Sequence, residues 1–166
     1  MTRLIASPRV SSKDLVGDRA FWANLVDLRT RLNLLQPHTA GGYGNRRFAI
    51  IRNAAWITLY RAVSPYPQIG VFLRCTGLAG EAFFAIADVA RERIEPHLQA
   101  VVGPGALLEW GTTHHPGMTD IAAVIAAPFP WNTAAASLHI AWLLQAGAAF
   151  WTAFGSLANG AQATQF

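Results

Sequence analysis

The sequence predicts a single α+β domain, an antiparallel sheet packed against helices in the order α-β-β-β-α-β-β-α. Three observations predict it. Helical apolar periodicity occurs near the start, in the middle and at the end of the chain, and extended runs with period-two alternation lie between. The links between those runs are too short for crossover helices, so neighbouring strands run antiparallel. The 166 residues suffice for one full core, and a chain of this size buries roughly two-thirds of its unfolded surface on folding. The expected boundaries are an N-terminal arm over 1–17, the domain over 18–158 and a flexible tail over 159–166.

The first helix is expected from Asp18, a good N-cap, with Phe21, Leu25, Leu28, Leu32 and Leu35 on one face and Asn24, Asp27 and Arg31 on the other. It should stop before Pro37. Ser11 to Asp14 reads as a capping box for a short preceding turn. Three strands follow, over 46–53, 55–63 and 68–75. In the second, Ile57, Leu59 and Val63 face one side and Trp56, Thr58 and Tyr60 the other; in the third, Ile69, Val71, Leu73 and Cys75 alternate with Phe72 and Arg74.

After Gly77–Gly80 a second helix aligns Phe83, Ala87, Ala90, Ile94 and Leu98 against Asp88, Arg91, Glu92 and Glu95. A hairpin is expected next, with strands over 106–111 and 119–127 joined by the polar turn TTHHPG. The last helix, capped by Asn132 or Thr133, has Ile140, Leu143, Leu144, Gly147, Phe150, Trp151, Phe154 and Leu157 on its strongest face.

Charge is unevenly distributed. Residues 1–61 hold ten basic and three acidic residues, net +7, while residues 62–120 hold three basic and six acidic, net −3. From Ile121 to Phe166 there is no Asp, Glu, Lys or Arg over 46 residues. A solvated helix face normally carries charge, so this stretch is expected to be covered by a core, a partner or lipid. The back of the last helix, Ala135, His139, Trp142, Ala146, Ala149 and Ala153, is small or neutral where a monomer would show Glu and Lys. Small residues let helices approach closely, which points to a homo-oligomer interface there.

Residues 138–157 have the length of a membrane span. His139, Gln145, Thr152 and Ser156 interrupt them and no cationic anchor follows, so the expectation is a buried helix and no membrane partner. The N-terminus lacks the apolar block of a secretory signal, and the lone Cys75 fits a reducing compartment, so a cytoplasmic location is expected.

The anion-binding candidates are Tyr43, Arg46, Arg47, Arg52, Arg61 and Arg74. In GGYGNRR, residues 41–47, glycines expose backbone N–H groups beside two guanidinium groups and a stackable ring. The segment matches neither a P-loop nor a dinucleotide fingerprint and precedes a strand, so a plain surface loop is the competing reading. Arg52, Arg61 and Arg74 fall on three consecutive strands and, if register permits, line up with Trp56, Tyr60 and Phe72 as a surface for single-stranded nucleic acid. The competing reading puts the aromatics under a helix and the arginines at strand ends.

No metal site and no cofactor are expected. His114 and His115 are adjacent, so their side chains diverge, and no third His or Cys is near in sequence. Glu109 and Asp120 lack the following Lys of an acid-acid-lysine metal cleft. His139 reads as a packing residue, and no nucleophile elbow is present.

The segments FWANLVDLRTRL, ARERIEPHL, ALLEW and AFWTAF, in this order over most of residues 18–157, resemble an uncharacterised bacterial domain that often follows a nuclease-like module in larger defence and restriction-type proteins. The resemblance implies an α+β module associated with nucleic acid or defence, with no catalytic residue to carry over. No nuclease module is read in residues 1–166, so an inherited cleavage activity is not expected.

Three functions therefore stand at the level of sequence. The first is a non-catalytic accessory module that meets nucleic acid through its basic N-terminal strands. The second is a homo-oligomeric interaction or assembly subunit, with a protein partner, working through the uncharged C-terminal helix. The third is a metal-dependent hydrolase at the 109–120 hairpin.

Overall fold

The computed structural model describes residues 19–23, 39–40, 45–62, 66–127 and 133–163. Helical residues 19–23 form α1, followed by β1 (Thr39–Ala40), β2 (Asn45–Ile51), β3 (Ala55–Ala62) and β4 (Gln68–Thr76). Then come α2 (Gly77–Val89), α3 (Arg91–Val102), β5 (Leu107–His115), β6 (Met118–Ala126) and α4 (Thr133–Ala163). The predicted α+β order holds, with the two-residue β1 added at the sheet's edge, and the strands form one antiparallel sheet in the order β1-β2-β3-β4-β6-β5. The expected capping box and most of the first helix lie outside the described residues.

The alternation read from the sequence defines the sheet's two faces. Register pairs Ile57 with Leu73 and Leu73 with Ile121, and it pairs Leu59 with Val71 and Val71 with Ala123. These residues carry no exposed surface and build the core beneath the helices. On the opposite face Tyr60, Ala62, Phe72, Ala122 and Val124 form a second buried cluster. A strand sheltered on both faces loses the hydrophobic-in, polar-out pattern, which is why β3, β4 and β6 are so apolar.

Helices α2 and α4 lie on the sheet, α2 against β4 and β6 and α4 against β2, β3 and β4. Gly80 makes the α2 contact possible: a Cβ there would stand 2.8 Å from the Ala54 carbonyl oxygen and from the Cys75 carbonyl carbon. The second predicted helix is in fact two. Its ladder breaks at Ala90 (φ −85, ψ 1), whose carbonyl accepts from Arg93 N and Ile94 N to start α3. The break takes α3 off the sheet and onto α4, while Phe83, Ala87, Ile94 and Leu98 stay on the buried side as the spacing predicts.

Two boundaries differ from the sequence expectation by more than two residues. Thr112 to His115 continue β5 instead of forming a long polar turn, and the hairpin closes on Pro116 and Gly117, with Gly117 at φ 74. Proline pre-sets the first turn position and glycine supplies the left-handed second one, so two residues suffice. Helix α4 also runs on to Ala163 instead of ending near 158. At about 1.5 Å per residue it is roughly 46 Å long.

Candidate binding surfaces

The arginines singled out from the sequence do not share a surface. Period two places Arg61 on the core side with Leu59, and Arg74 on the other side with Phe72. Arg61 has no exposed surface, and its guanidinium sits 5.8 Å from the Phe21 ring centre. Arg46 lies 4.7 Å from the Trp22 ring centre, and its Nη1 donates to the Asn45 carbonyl at 2.8 Å. Phe21 and Trp22 are themselves buried, so these two cations act on α1, clasping its aromatic pair to the sheet.

Arg74 is bound to Asp120 by two charge-assisted bonds, Nε to Oδ1 at 2.9 Å and Nη2 to Oδ2 at 2.7 Å. The predicted stripe of Arg52, Arg61 and Arg74 is therefore not formed: one member is in the core, and another is neutralised on the far face. Arg47, exposed and 5.8 Å from the Trp56 ring centre, and Arg52, exposed in the β2–β3 turn, are the members that face solvent. Tyr43 lies outside the described residues.

The face that holds Arg74 is a buried mixture of polar and apolar groups. Gln68 donates to the Tyr60 hydroxyl at 2.9 Å, Tyr60 and Phe72 are 5.6 Å apart, and Arg74 lies 4.8 Å from the Phe72 ring. Burial raises the Tyr60 pKa well above the ordinary phenol value, although the Gln68 bond opposes this. Glu109 accepts from Thr112 Oγ1 at 3.1 Å on the same face. Both carboxylates of the hydrolase reading are thus engaged by neighbours, and among the described residues no group of three His, Cys, Asp or Glu is placed to hold a metal ion. Cys75 is a core residue whose thiol burial pushes up to about 12, far from a nucleophile's range.

An open concavity lies elsewhere among the described residues, between α3 and α4. It is an open groove of about 1020 Å³. Ile94, Leu98 and Val101 form one wall, Ala149, Ala153 and Leu157 the other, and Arg93 and His97 lie at the α3 side. Of the back of α4, expected to meet another copy, Ala149 and Ala153 line this groove with their own chain. Ala146 is fully buried, Trp142 Nε1 donates to the Val102 carbonyl at 2.9 Å, and Ala149 and Ala153 are half-buried. His139 is also half-buried, and desolvation lowers its pKa. Ala135 belongs to α4, but its side chain lies outside the described residues.

Residues 136–161 are long and apolar enough to cross a membrane by length and composition alone. In this fold the same helix places Ile140, Leu143, Leu144, Phe150 and Phe154 in the core. Each fully buried side chain of that size contributes about 1.5–3 kcal/mol.

No family model, curated protein or solved structure matches the chain. What defines it is its own geometry: a sheet sheltered on both faces, with an open concavity between two helices.

Proposed function

We propose that the protein is a non-catalytic binding module whose ligand is a polypeptide segment, received in the groove between α3 and α4. One observation carries this reading: the groove is wide, open and walled by apolar and small side chains, and α4 contributes no charged group to it. Apolar walls with few polar groups favour a ligand that buries a hydrophobic face. The groove follows two helices, a shape suited to an amphipathic helix laid along it. Arg93 supplies a cation at the α3 wall, so a ligand bearing a carboxylate beside its apolar face is favoured over a cationic one.

The test uses synthetic amphipathic helical peptides with a leucine face, one series with glutamate at the edge and one with lysine. Titration by fluorescence anisotropy should show saturable binding that prefers the glutamate series. Ala149→Arg and Ala153→Arg, which fill the groove, should abolish it. No binding by either series, or binding that survives both substitutions, would refute the proposal.

A nucleic-acid-associated role would have to run through Arg47 and Arg52, the solvent-facing pair. Low-salt binding of single-stranded DNA or RNA that disappears in an Arg47→Ala/Arg52→Ala variant would replace the polypeptide reading.

A further inference from the structure

Helix α2 carries a second surface, none of whose residues lines the groove. Its inward side, with Gly80, Phe83 and Ala87, is buried on the sheet. The side turned to solvent should then be polar, as in most helices that lie on a core. It is instead a row of Leu78, Ala82, Ala85 and Val89, and the two large members are 87% and 89% exposed. At about 100° per residue, these four positions fall within an arc of roughly 60° centred opposite the buried side. Their spacing of four, three and four is the heptad seam by which helices pair with one another.

We propose that this crest is a self-association surface, on which a second copy of this chain packs its own α2 in parallel about a two-fold axis. The flanks argue for a second copy and for that orientation. Exposed Glu81 and Asp88 border one edge of the crest, and Ala79 and exposed Ile86 border the other. In a parallel two-fold pair the acidic edge of each helix lies against the Ala79–Ile86 edge of its mate, so no carboxylate meets a carboxylate. An antiparallel pair would bring both acidic edges together on one side. Each crest residue meets its own counterpart, Leu78 on Leu78 and Val89 on Val89, with Ala82 and Ala85 between them leaving room for close approach.

The size of the crest sets the strength. Even with Leu78, Val89 and the alanines between them wholly covered, a two-fold pair reaches at most about the 1,000 Å² lower bound for specific association. The dimer is accordingly weak and concentration-dependent.

Sedimentation velocity over a concentration series of the full chain tests this. The expected result is a reversible monomer–dimer equilibrium, weakened roughly tenfold or more by Leu78→Glu and by Val89→Glu, about 1.4 kcal/mol each. Both positions project into solvent, so circular dichroism and thermal midpoint should match the parent chain. Ala149→Arg, in the groove, should leave the equilibrium unchanged, which separates this surface from the peptide-binding one. Under mild oxidation Leu78→Cys should form a disulfide-linked dimer, because parallel pairing brings the two copies of position 78 together, whereas native Cys75 is buried. A chain that stays monomeric throughout, or a dimer that neither glutamate substitution weakens, overturns the proposal. A dimer in which the Leu78→Cys variant forms no disulfide overturns the parallel pairing.

Discussion

Arg74 and Asp120 stand directly opposite each other on β4 and β6, the carboxylate buried and the guanidinium about one-fifth exposed. The two bonds between them tie the β2–β4 meander to the β5–β6 hairpin. Removing the acid leaves a guanidinium on a sheltered face without its bidentate acceptor. Asp120→Ala is therefore expected to destabilise the chain by about 2–4 kcal/mol, read as a lower urea midpoint. The double variant Arg74→Met/Asp120→Leu should lose less than the sum of the two single changes, because it removes both the charge and its need for a partner.

The same pair shows what the sequence could and could not reveal. Alternation within β3 and within β4 was legible, since Ile57 and Leu59, like Val71 and Leu73, can share a core only on one side. Aligning those apolar sides also separates Arg61 from Arg74. The cationic stripe would instead have needed the two strands one residue out of phase, with one apolar face turned away from the core. The partner of Arg74 was less accessible, because Asp120 is 46 residues away and only the pairing of β4 with β6 joins them.

The helices were legible on the sides they bury and obscure elsewhere. The uncharged α4 announced burial, yet its alanine side is shared with α3, and that packing depends on the break at Ala90, which interrupts no apolar spacing. The α2 crest carried a signal of its own: thirteen residues containing only Glu81 and Asp88 as charges. It is hidden when the helix is read solely for the row that faces the core.

Gly70 and Tyr60 make the second test of packing. They are register partners on β4 and β3, and a Cβ on Gly70 would lie 2.6 Å from Tyr60 Cε1 and 2.7 Å from its hydroxyl oxygen. Tyr60 is fully buried and held by Gln68, so the ring has little room to withdraw. Gly70→Ala should cost about 1–3 kcal/mol through overpacking. In a Tyr60→Leu background, where the ring is gone, the same change should cost markedly less, which a double-mutant cycle in urea will show.

Titration of the buried groups predicts a loss of stability on both sides of neutrality. Burial lowers the His139 pKa in the folded chain, so below the ordinary imidazole value of about 6.5 the unfolded chain binds the extra proton more readily. The thermal midpoint should fall as pH drops from neutral through that range, and His139→Gln should flatten the acidic limb. On the alkaline side the signs reverse. Burial raises Cys75 to about 12 and Tyr60 beyond the ordinary phenol range, while in the unfolded chain a thiol ionises near 8.5 and a phenol near 10. The unfolded state then releases protons that the folded state retains, so stability should decline as pH rises through about 8.5 and again through about 10. Cys75→Ala should reduce the first part of that decline. Native Cys75 should also resist a chromogenic disulfide reagent at pH 8 until denaturant is added, and prompt labelling of the folded chain would contradict its placement in the core.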